Sequence, residues 1–493
     1  MNRIVIVSNR VPAPAAAGAQ AGGLAVALEA LMERRGGMWF GWSGQISDKL
    51  AVKTVGAGGV DYATIDLTQD EHDRYYNEFS NSTLWPLMHS LPELMSFDRR
   101  SAAVYRHVNE KFADALAPMA RANDLIWVHD YHLFCLPALL RARNVRVPIG
   151  FFLHIPFPAA DILSLTPEAG ALVRDVLAAD LIGFQTANDV ENFAAAAIRL
   201  GDAVRLPDGM LLVAGRRVCI GTFPVEIETR AFAETARVAA ADAPSGRLRR
   251  SVAGQHLILG VDRMDPTKGL PQRLAGYRHL LESRPEWLRR VTFLQIAAES
   301  RTDVVAYREL RMQIEQEAGA INSAFSEPDW SPLRLIARAG ARNTVAGYMR
   351  AARVGLVTPL RDGMNLVAKE YIAAQDPADP GVLVLSAFAG AAEQLQAAMV
   401  VNPYDAEQVA ETLNIALMMT LAERRERWLA CWQAIEDHSA LGWGRSFVAA
   451  LLRASLLAEP RYERSRGQVA LASLTLGPAV RPAKGSRQPY QIT

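Results

Sequence analysis

The amino-acid sequence predicts an α/β protein with two Rossmann-like domains, each a doubly wound parallel sheet, which face each other across a cleft. Short apolar, β-branched runs alternate with helical segments, as in parallel sheets buried on both faces. The chain has 493 residues, more than one hydrophobic core usually supports, and the alternation occurs in both halves. Open α/β sheets bind ligands at the carboxyl ends of their strands, so we expect the loops there to carry the function.

The first half contains apolar runs that predict strands at 4–8, 125–129, 149–153, 181–184 and 218–222. The segments between these runs predict helices at 24–35, 133–143 and 189–200.

The second half repeats this pattern, with strands predicted at 257–261, 291–297, 354–358 and 382–385. Its helices are predicted at 270–281, 304–318, 366–374 and 406–421, followed by a long helical tract at 422–457. An Ala- and Arg-rich stretch at 227–254 marks the passage between the halves. We therefore predict domains at 1–225 and 226–439, a helix at 440–458 that packs back onto the first domain, and a disordered tail at 459–493.

Charge and cysteine content exclude several classes of protein. With 53 Lys+Arg against 52 Asp+Glu, the formal net charge is +1, which gives no electrostatic case for a nucleic acid or a membrane surface as the main partner. The three cysteines include no C-x-x-C pair, so neither a disulfide framework nor a cysteine zinc site is indicated. No apolar run has the length of a membrane span, and a cytoplasmic enzyme is the default expectation.

The first strand-end loop contains Arg10 and ends in Gly22-Gly23, just before a helix. Glycines at a helix start let backbone N–H groups approach a phosphate, although they also occur there for structural reasons. The G-x-G-x-x-G fingerprint is absent from this turn, so a nicotinamide cofactor is not supported.

Two further strand ends in the first half carry polar side chains. Asp130 follows the strand at 125–129, where it can bind a sugar hydroxyl or cap the next helix. His154 follows the strand at 149–153, just before the prolines that end it. A histidine facing an aspartate-bearing loop favours a binding site over a structural role.

The second half places cations at the corresponding strand ends. Arg263 and Lys268 follow the strand at 257–261, and both can point at one phosphate group, although a solvated pair of charges is the alternative. Arg301 follows the strand at 291–297 and offers another cation to the cleft.

The segment TPLRDGMNLVAKE at 358–370 is the most informative loop. Asp362 and Gly363 predict a tight turn before a helix. The backbone N–H groups then left free for an anion are those of Met364, Asn365, Leu366 and Val367. Glu370, one to two turns inside the helix, can accept hydrogen bonds from a ribose or another sugar.

Tyr76 and Trp85 offer aromatic faces on which the C–H face of a sugar can stack, although aromatic residues more often belong to a core. No D-x-D occurs, so the usual carboxylate site for a metal–nucleotide complex is not visible, and we predict no metal and no cofactor. The absence of G-x-x-x-x-G-K-[ST] and of G-x-S-x-G disfavours a P-loop kinase and an α/β-hydrolase.

Together these motifs resemble the trehalose-6-phosphate synthases, which are retaining glycosyltransferases of family 20 with the two-domain GT-B architecture. The resemblance is collinear from about residue 2 to about residue 455. It rests on SNR at 8–10, GGL at 22–24, LWPL at 84–87, WVHDYHL at 127–133, FFLHIPFP at 151–158, LIGFQT at 181–186, KGL at 268–270 and the segment at 358–370.

This resemblance implies transfer of glucose from UDP-glucose to glucose 6-phosphate with retention, giving trehalose 6-phosphate and UDP, by a metal-independent front-face reaction. The implied catalytic residues are Arg263, Lys268, Asp130, His154 and Asp362. The implied contacts to the nucleotide sugar are Gly22, Gly23, Arg263, Lys268, Asp362, Gly363, Met364, Asn365, Leu366, Val367 and Glu370. The implied contacts to the acceptor are Arg10, Tyr76, Trp85, Asp130 and Arg301. The resemblance further implies a homodimer or homotetramer.

Two positions depart from the family pattern: Pro266 stands where an aromatic residue is expected, and Glu226 where a glycine is expected, near the hinge. Two alternative functions therefore stay open. The first is that of a relative with another acceptor, such as a glucosylglycerol-phosphate synthase or a pseudo-glycosyltransferase that couples cyclitols. The second is that of a catalytically silent homologue that senses sugar phosphates. Such a homologue is expected to lose part of the catalytic set, which this chain retains. The sequence does not fix the nucleobase of the donor.

Overall fold

Apolar β-branched runs form the centres of two sheets in the computed structural model, which describes residues 2–12, 23–48, 52–301 and 303–458. The strands of the first sheet are β1 Arg3–Arg10, β2 Gly37–Ile46, β3 Lys53–Ala57, β4 Val60–Leu67, β5 Asp124–His129, β6 Ile149–Phe152, β7 Leu181–Phe184, β8 Val204–Arg205, β9 Leu211–Val213 and β10 Arg216–Thr222. They lie in the order β3-β4-β2-β1-β5-β6-β7-β10-β9-β8. The seven central strands, β4-β2-β1-β5-β6-β7-β10 in spatial order, pair in parallel. At the edges, β3 pairs antiparallel with β4, β9 with β10 and β8 with β9.

Helices cover both faces of this sheet, as its buried strands require. They are α1 Gly23–Arg35, α2 Gln69–Glu71, α3 Trp85–Met88, α4 Arg99–Leu116, α5 Leu136–Ala142, α6 Ala160–Leu163, α7 Ala169–Val176 and α8 Ala187–Leu200. A π-helical segment, His72–Leu84, joins α2 to α3.

The second sheet is fully parallel. Its strands are β11 His256–Arg263, β12 Val291–Ala298, β13 Leu333–Ile336, β14 Val354–Val357, β15 Val382–Ser386 and β16 Met399–Val401, in the order β13-β12-β11-β14-β15-β16. The remaining helices are α9 Thr229–Ala239, α10 Ala243–Ser251, α11 Leu270–Ser283, α12 Val305–Phe325, α13 Arg342–Ala351, α14 Leu366–Ala374, α15 Ala406–Met418, α16 Leu421–Gln433 and α17 Ala440–Ala458.

The predicted fold class, two Rossmann-like parallel-sheet domains, is confirmed. The long helix predicted at 422–457 is wrong as one element, because α16 ends at Gln433 and α17 begins only at Ala440. The polar segment between them returns the chain to the first domain. The strand β2 was not predicted, because the segment at 37–46 is rich in Gly and Trp rather than in β-branched residues.

The last helix, α17, completes the core of the first sheet. The Phe447 ring stacks on Trp127, with 4.3 Å between the ring centroids. The Trp443 indole N–H donates to the carbonyl oxygen of Phe223 at 3.0 Å. The domain limits at 225 and 439 stay predictions, and the predicted tail at 459–493 lies outside the described residues. Within the described part of the chain, no helix has the length and apolar character needed to cross a membrane.

Candidate active site

The carboxyl ends of the two sheets meet across a cleft, where side chains of both domains touch. The Trp85 indole N–H of the first domain donates to the Asp265 carboxylate of the second at 3.2 Å. The Arg301 guanidinium of the second domain donates to the Tyr131 hydroxyl of the first at 3.1 Å. Open α/β sheets bind ligands at this edge, and the predicted site residues from both halves gather there.

Arg301 and Trp85 form a buried cationic cluster. Cζ of Arg301 lies 3.9 Å from the centroid of the Trp85 ring, and its guanidinium donates to the hydroxyls of Tyr131 and Tyr307. Burial lowers the pKa of Arg301, but Tyr131, Tyr307 and Asp265 raise it by more, so the side chain stays charged. A buried guanidinium with a fixed orientation is suited to a phosphate group.

Asp265 connects the two domains, although the sequence analysis gave it no role. Its carboxylate is fully buried and accepts hydrogen bonds from Trp85, from the Thr267 backbone N–H at 3.1 Å and from the Tyr307 hydroxyl at 3.0 Å. One signal was available in the sequence, because an acidic residue stands between two basic ones on a strand-end loop.

The same carboxylate also neutralises the surrounding cations. Arg263 and Arg301 approach its Oδ2 to 3.6 and 3.7 Å. Burial raises the pKa of Asp265, but attraction by Arg263, Arg301 and Lys268 brings it well below its ordinary value, so the group is ionised. Arg263 keeps 46% of its side chain exposed, and so remains free to meet a ligand.

Lys268 and Asp362 bring together two of the predicted loops. The Lys268 ammonium forms an ion pair with Oδ2 of Asp362, and the Asn365 side-chain amide donates to the same oxygen at 3.0 Å. The ammonium of Lys268 therefore lies beside the turn that precedes α14. Arg263 and Lys268 both lower the pKa of the buried Asp265 carboxylate, and the phosphate that they are predicted to share stays a prediction.

A buried arginine fixes the loop that carries Lys268. Arg273 forms an ion pair with Asp262 and donates to Thr358 Oγ1 at 2.9 Å and to the Lys268 carbonyl at 3.3 Å. Gly269 follows with φ 63°, and a Cβ there would lie 2.6 Å from the Thr358 carbonyl oxygen. Only glycine allows this close approach of the two loops.

The amino end of α14 has the geometry of an anion site. Asn365 caps the helix, since its side chain accepts the Ala368 N–H at 3.3 Å. The N–H groups of Leu366 and Val367 precede the first intrahelical hydrogen bond, and both residues are partly exposed. Two of the four predicted amide positions, Leu366 and Val367, are therefore partly exposed at this end of α14, whereas Met364 and Asn365 are buried, and contact with a ligand stays a prediction.

Met364 is buried, and its carbonyl oxygen accepts the Ala391 N–H at 2.8 Å, so its side chain belongs to the core. Glu370 lies on α14 and approaches Arg342 to 3.5 Å. Burial raises the pKa of Glu370, while Arg342 opposes the rise. The Glu370 carboxylate, which is paired with Arg342, can therefore accept a hydrogen bond from a ligand hydroxyl.

Gly363 brings the second domain against His154 of the first. A Cβ at Gly363 would lie 2.2 Å from the His154 carbonyl oxygen and 3.1 Å from Cα of Ile155. A side chain at this position would therefore push the two domains apart. Gly363 thus has a packing role besides its predicted role in binding the nucleotide sugar.

Asp130 and His154 are joined directly. Oδ1 of Asp130 accepts the His154 backbone N–H at 3.2 Å, and Asp130 makes no side-chain helix cap, so the capping alternative is wrong. His154 Nε2 lies 3.0 Å from His129 Nδ1. Burial lowers the pKa of His154 to about 3, so its imidazole is neutral at neutral pH. Burial raises the pKa of Asp130 to about 6, although hydrogen bonds from the His154 and Tyr131 backbones oppose the rise.

We expect Asp130→Asn to weaken the pH dependence of stability between about pH 4 and 6. A carboxyl group with a raised folded-state pKa stabilises the fold fully below its unfolded pKa, about 4, and loses this contribution as the pH rises through about 6. The loss is at most about 3 kcal/mol. Urea unfolding of both proteins at pH 4 and 6.5 measures it, and equal pH dependence in the two proteins would contradict the assignment.

Arg10 and Tyr76 share a tryptophan that the sequence analysis missed. Cζ of Arg10 lies 5.8 Å from the Trp42 ring, and the Tyr76 ring centroid lies 6.3 Å from it. Tyr76 also stacks on His132 at 5.8 Å. Trp42 belongs to β2, a strand that the hydrophobic pattern did not indicate, so no signal pointed to it.

Gly22 lies outside the described residues, and Gly23 is the first residue of α1. Their contact with a nucleotide sugar stays a prediction.

Three site residues that are not glycine have a positive φ. The angles are 74° at Asp130, 71° at Asn365 and 48° at Arg301. L-residues rarely adopt this conformation, which persists where the surrounding structure enforces it and is concentrated at functional sites. In the residues described, no three His, Cys, Asp or Glu side chains form a group that could hold a metal ion.

Comparison with known proteins gives consistent matches over nearly the whole chain. The model of the family described as Glycosyltransferase family 20 matches residues 3–453. A trehalose-6-phosphate synthase from Sinorhizobium fredii is 45% identical over 460 residues, covering 92% of this chain and 99% of the relative.

Two solved structures are also similar to this chain. One is an α,α-trehalose-phosphate synthase (UDP-forming) from Burkholderia xenovorans in complex with glucose-6-phosphate. It has a TM-score of 0.87 and 42% identity, and the match covers 91% of this chain and 100% of the other. The second is an Escherichia coli protein bound with UDP-2-fluoro glucose. Its TM-score is 0.86 at 41% identity, over 91% of this chain and 98% of the other.

Proposed function

Because this chain belongs to glycosyltransferase family 20, we propose that it transfers glucose from UDP-glucose to glucose 6-phosphate with retention and without a metal ion. The products are α,α-trehalose 6-phosphate and UDP. The chain is a glycosyltransferase of the trehalose-6-phosphate synthase type. The similar structures with bound glucose-6-phosphate and UDP-2-fluoro glucose support the choice of acceptor and of donor.

The arrangement of cations around Asp265 carries the proposal. Lys268 lies beside the turn that precedes α14, Arg263 lies beside Asp265, and together they bind the diphosphate of UDP-glucose. Arg301, over the Trp85 ring, binds the phosphate of glucose 6-phosphate together with Arg10. Two phosphate sites that flank one cleft fit a reaction between two phosphorylated sugars.

Positive charge near the diphosphate stabilises the transition state. When the bond from the anomeric carbon to the phosphate oxygen breaks, negative charge develops on UDP, and preorganised cations and helix N–H groups stabilise it. We assign this stabilisation to Arg263, Lys268 and the N–H groups of Leu366 and Val367. These cations take the part that a metal ion plays in other nucleotide-sugar sites, which is why we propose a metal-independent reaction.

Retention follows from an attack on the same face as the leaving group. The anomeric hydroxyl of glucose 6-phosphate forms the new C–O bond as the old one breaks, and its proton passes to the departing phosphate oxygen. Asp130 and His154 position the sugars, with the Asp130 carboxylate held by the His154 backbone N–H and the neutral His154 imidazole held by His129. Glu370 binds the ribose. A homodimer or homotetramer stays a prediction.

The assay that tests the proposal mixes UDP-glucose and glucose 6-phosphate and follows UDP release and the anomeric configuration of the product by NMR. An α,α-1,1-linked phosphorylated disaccharide supports donor, acceptor and retention together. Turnover only with another acceptor would move the function to a relative such as a glucosylglycerol-phosphate synthase. Saturable binding without turnover, also with GDP- and ADP-glucose, would favour a sugar-phosphate sensor.

We expect chelation to leave the rate unchanged. With excess EDTA, the initial rate should stay within about twofold of the untreated rate, because Arg263 and Lys268 supply the positive charge. A loss of tenfold or more that Mg²⁺ restores would contradict metal independence, and it would leave the donor and acceptor assignments intact.

A further inference from the structure

A buried ion pair joins the segment between the two domains to α14. The Lys369 ammonium donates to Oε2 of Glu226 at 2.7 Å, and both side chains are buried, at 0% and 4% exposed. The Gln394 amide donates to the other Glu226 oxygen at 2.8 Å. The family resemblance led us to expect glycine at position 226, which would leave Lys369 without a carboxylate.

The same lysine holds the backbone where the chain passes between the domains. Lys369 donates to the Val225 carbonyl at 2.8 Å, while the Val225 N–H donates to the Gln185 side chain of the first domain at 2.9 Å. Gln185 in turn donates to the His154 carbonyl at 3.3 Å. The carbonyl group of Val225 is therefore held by the second domain through Lys369. Its N–H group is held by Gln185, which also binds the active-site loop of the first domain at His154.

Lys369 occupies a sensitive place in the helix. Its neighbour Glu370 is the proposed ribose contact, and the free N–H groups of Leu366 and Val367 lie three and two residues before it. A buried ammonium without an anion is costly, so loss of the Glu226 charge should shift Lys369, and with it the helix, from the present position.

We propose that Glu226 and Lys369 are positioning residues that hold α14 against the interdomain segment and so fix the amino end of this helix and Glu370 for UDP-glucose. This inference rests on the proposed function of α14 as the donor-binding helix. It assigns a role to Glu226 that a merely stabilising ion pair would not have, namely control of donor binding rather than of acceptor binding.

The test compares Glu226→Gln with the wild type in full-length protein. We expect KM for UDP-glucose, and Kd for UDP by calorimetry, to rise about tenfold or more, because small misplacements of binding groups have effects of this size. KM for glucose 6-phosphate should stay within twofold. Asp124→Asn is the matched control, since Asp124 is also buried and paired with a cation, Arg3. This pair lies at the amino ends of β1 and β5, away from the carboxyl ends that face the cleft. It should lower Tm without changing the KM for UDP-glucose.

A second variant covers the case in which Glu226→Gln does not fold. Glu226→Gln with Lys369→Met removes both charges, a change that buried ion pairs often tolerate. The proposal predicts that this protein also binds UDP about tenfold more weakly, because the contact with Val225 is lost. A folded variant with wild-type Kd for UDP would overturn the inference. If wild-type protein itself bound neither UDP nor UDP-glucose, the proposed function would fail instead.

Discussion

Lys268→Ala should lower kcat by about 10²- to 10³-fold, the effect of removing one group that stabilises charge in a transition state. The Lys268 ammonium is held against Asp362 beside the amino end of α14. Alanine removes the positive charge at the place where the departing diphosphate becomes more negative. Arg263→Ala should have an effect of the same size, because its partly exposed guanidinium is the second cation that we assign to the diphosphate.

Steady-state kinetics with both substrates saturating measures this effect. Arg278→Ala is a suitable control, since Arg278 lies on α11 in the same domain but is exposed and paired with Glu282. Its kcat should stay within twofold of the wild-type value. Unchanged turnover in Lys268→Ala or in Arg263→Ala would rule out the diphosphate assignment of that residue.

Asp265→Asn should lower kcat/KM for glucose 6-phosphate by about 10²-fold. Both carboxylate oxygens accept hydrogen bonds, one from Trp85 and Thr267 and the other from Tyr307. An amide turns one of these acceptors into a donor and removes the charge that balances Arg301. Trp85 and Arg301 should then lose their mutual orientation at the acceptor phosphate.

The same substitution should lower the free energy of unfolding by about 3 kcal/mol, the scale of breaking a buried ion pair. Urea unfolding and initial rates over a range of glucose 6-phosphate concentrations give the two values. Asp124→Asn serves again as the control for stability without a kinetic effect. If Asp265→Asn lost stability but kept kcat/KM, Asp265 would be a structural link between the domains rather than part of the phosphate site.

Local patterns were sufficient to place the cations of the site. Arg263, Lys268 and Arg301 each lie in a loop that follows an apolar run, and parallel strands bring such loops to one edge of a sheet. The alternation of strands and helices is enough to predict this, whichever strands are neighbours in the sheet. It also predicted the turn before α14.

The contacts between the domains escaped the sequence analysis. Asp265 lies 180 residues from Trp85, and Glu226 lies 143 residues from Lys369, so nothing local in the chain marks these pairs. The same holds for Trp42, which belongs to a strand without a β-branched run. The roles of Asp265 and Glu226 depend on which distant group their buried carboxylates meet.

The sequence by itself determined the fold class, the strand-end loops and the family, because hydrophobic periodicity and short motifs are properties of neighbouring residues. The tertiary structure alone decided that one buried carboxylate lies between Arg263 and Arg301, and that Lys369 is neutralised at the interdomain segment. The physical reason is that burial and ion pairing depend on distances between residues far apart in the chain. Those distances are set by the way in which the loops of the two domains pack against each other.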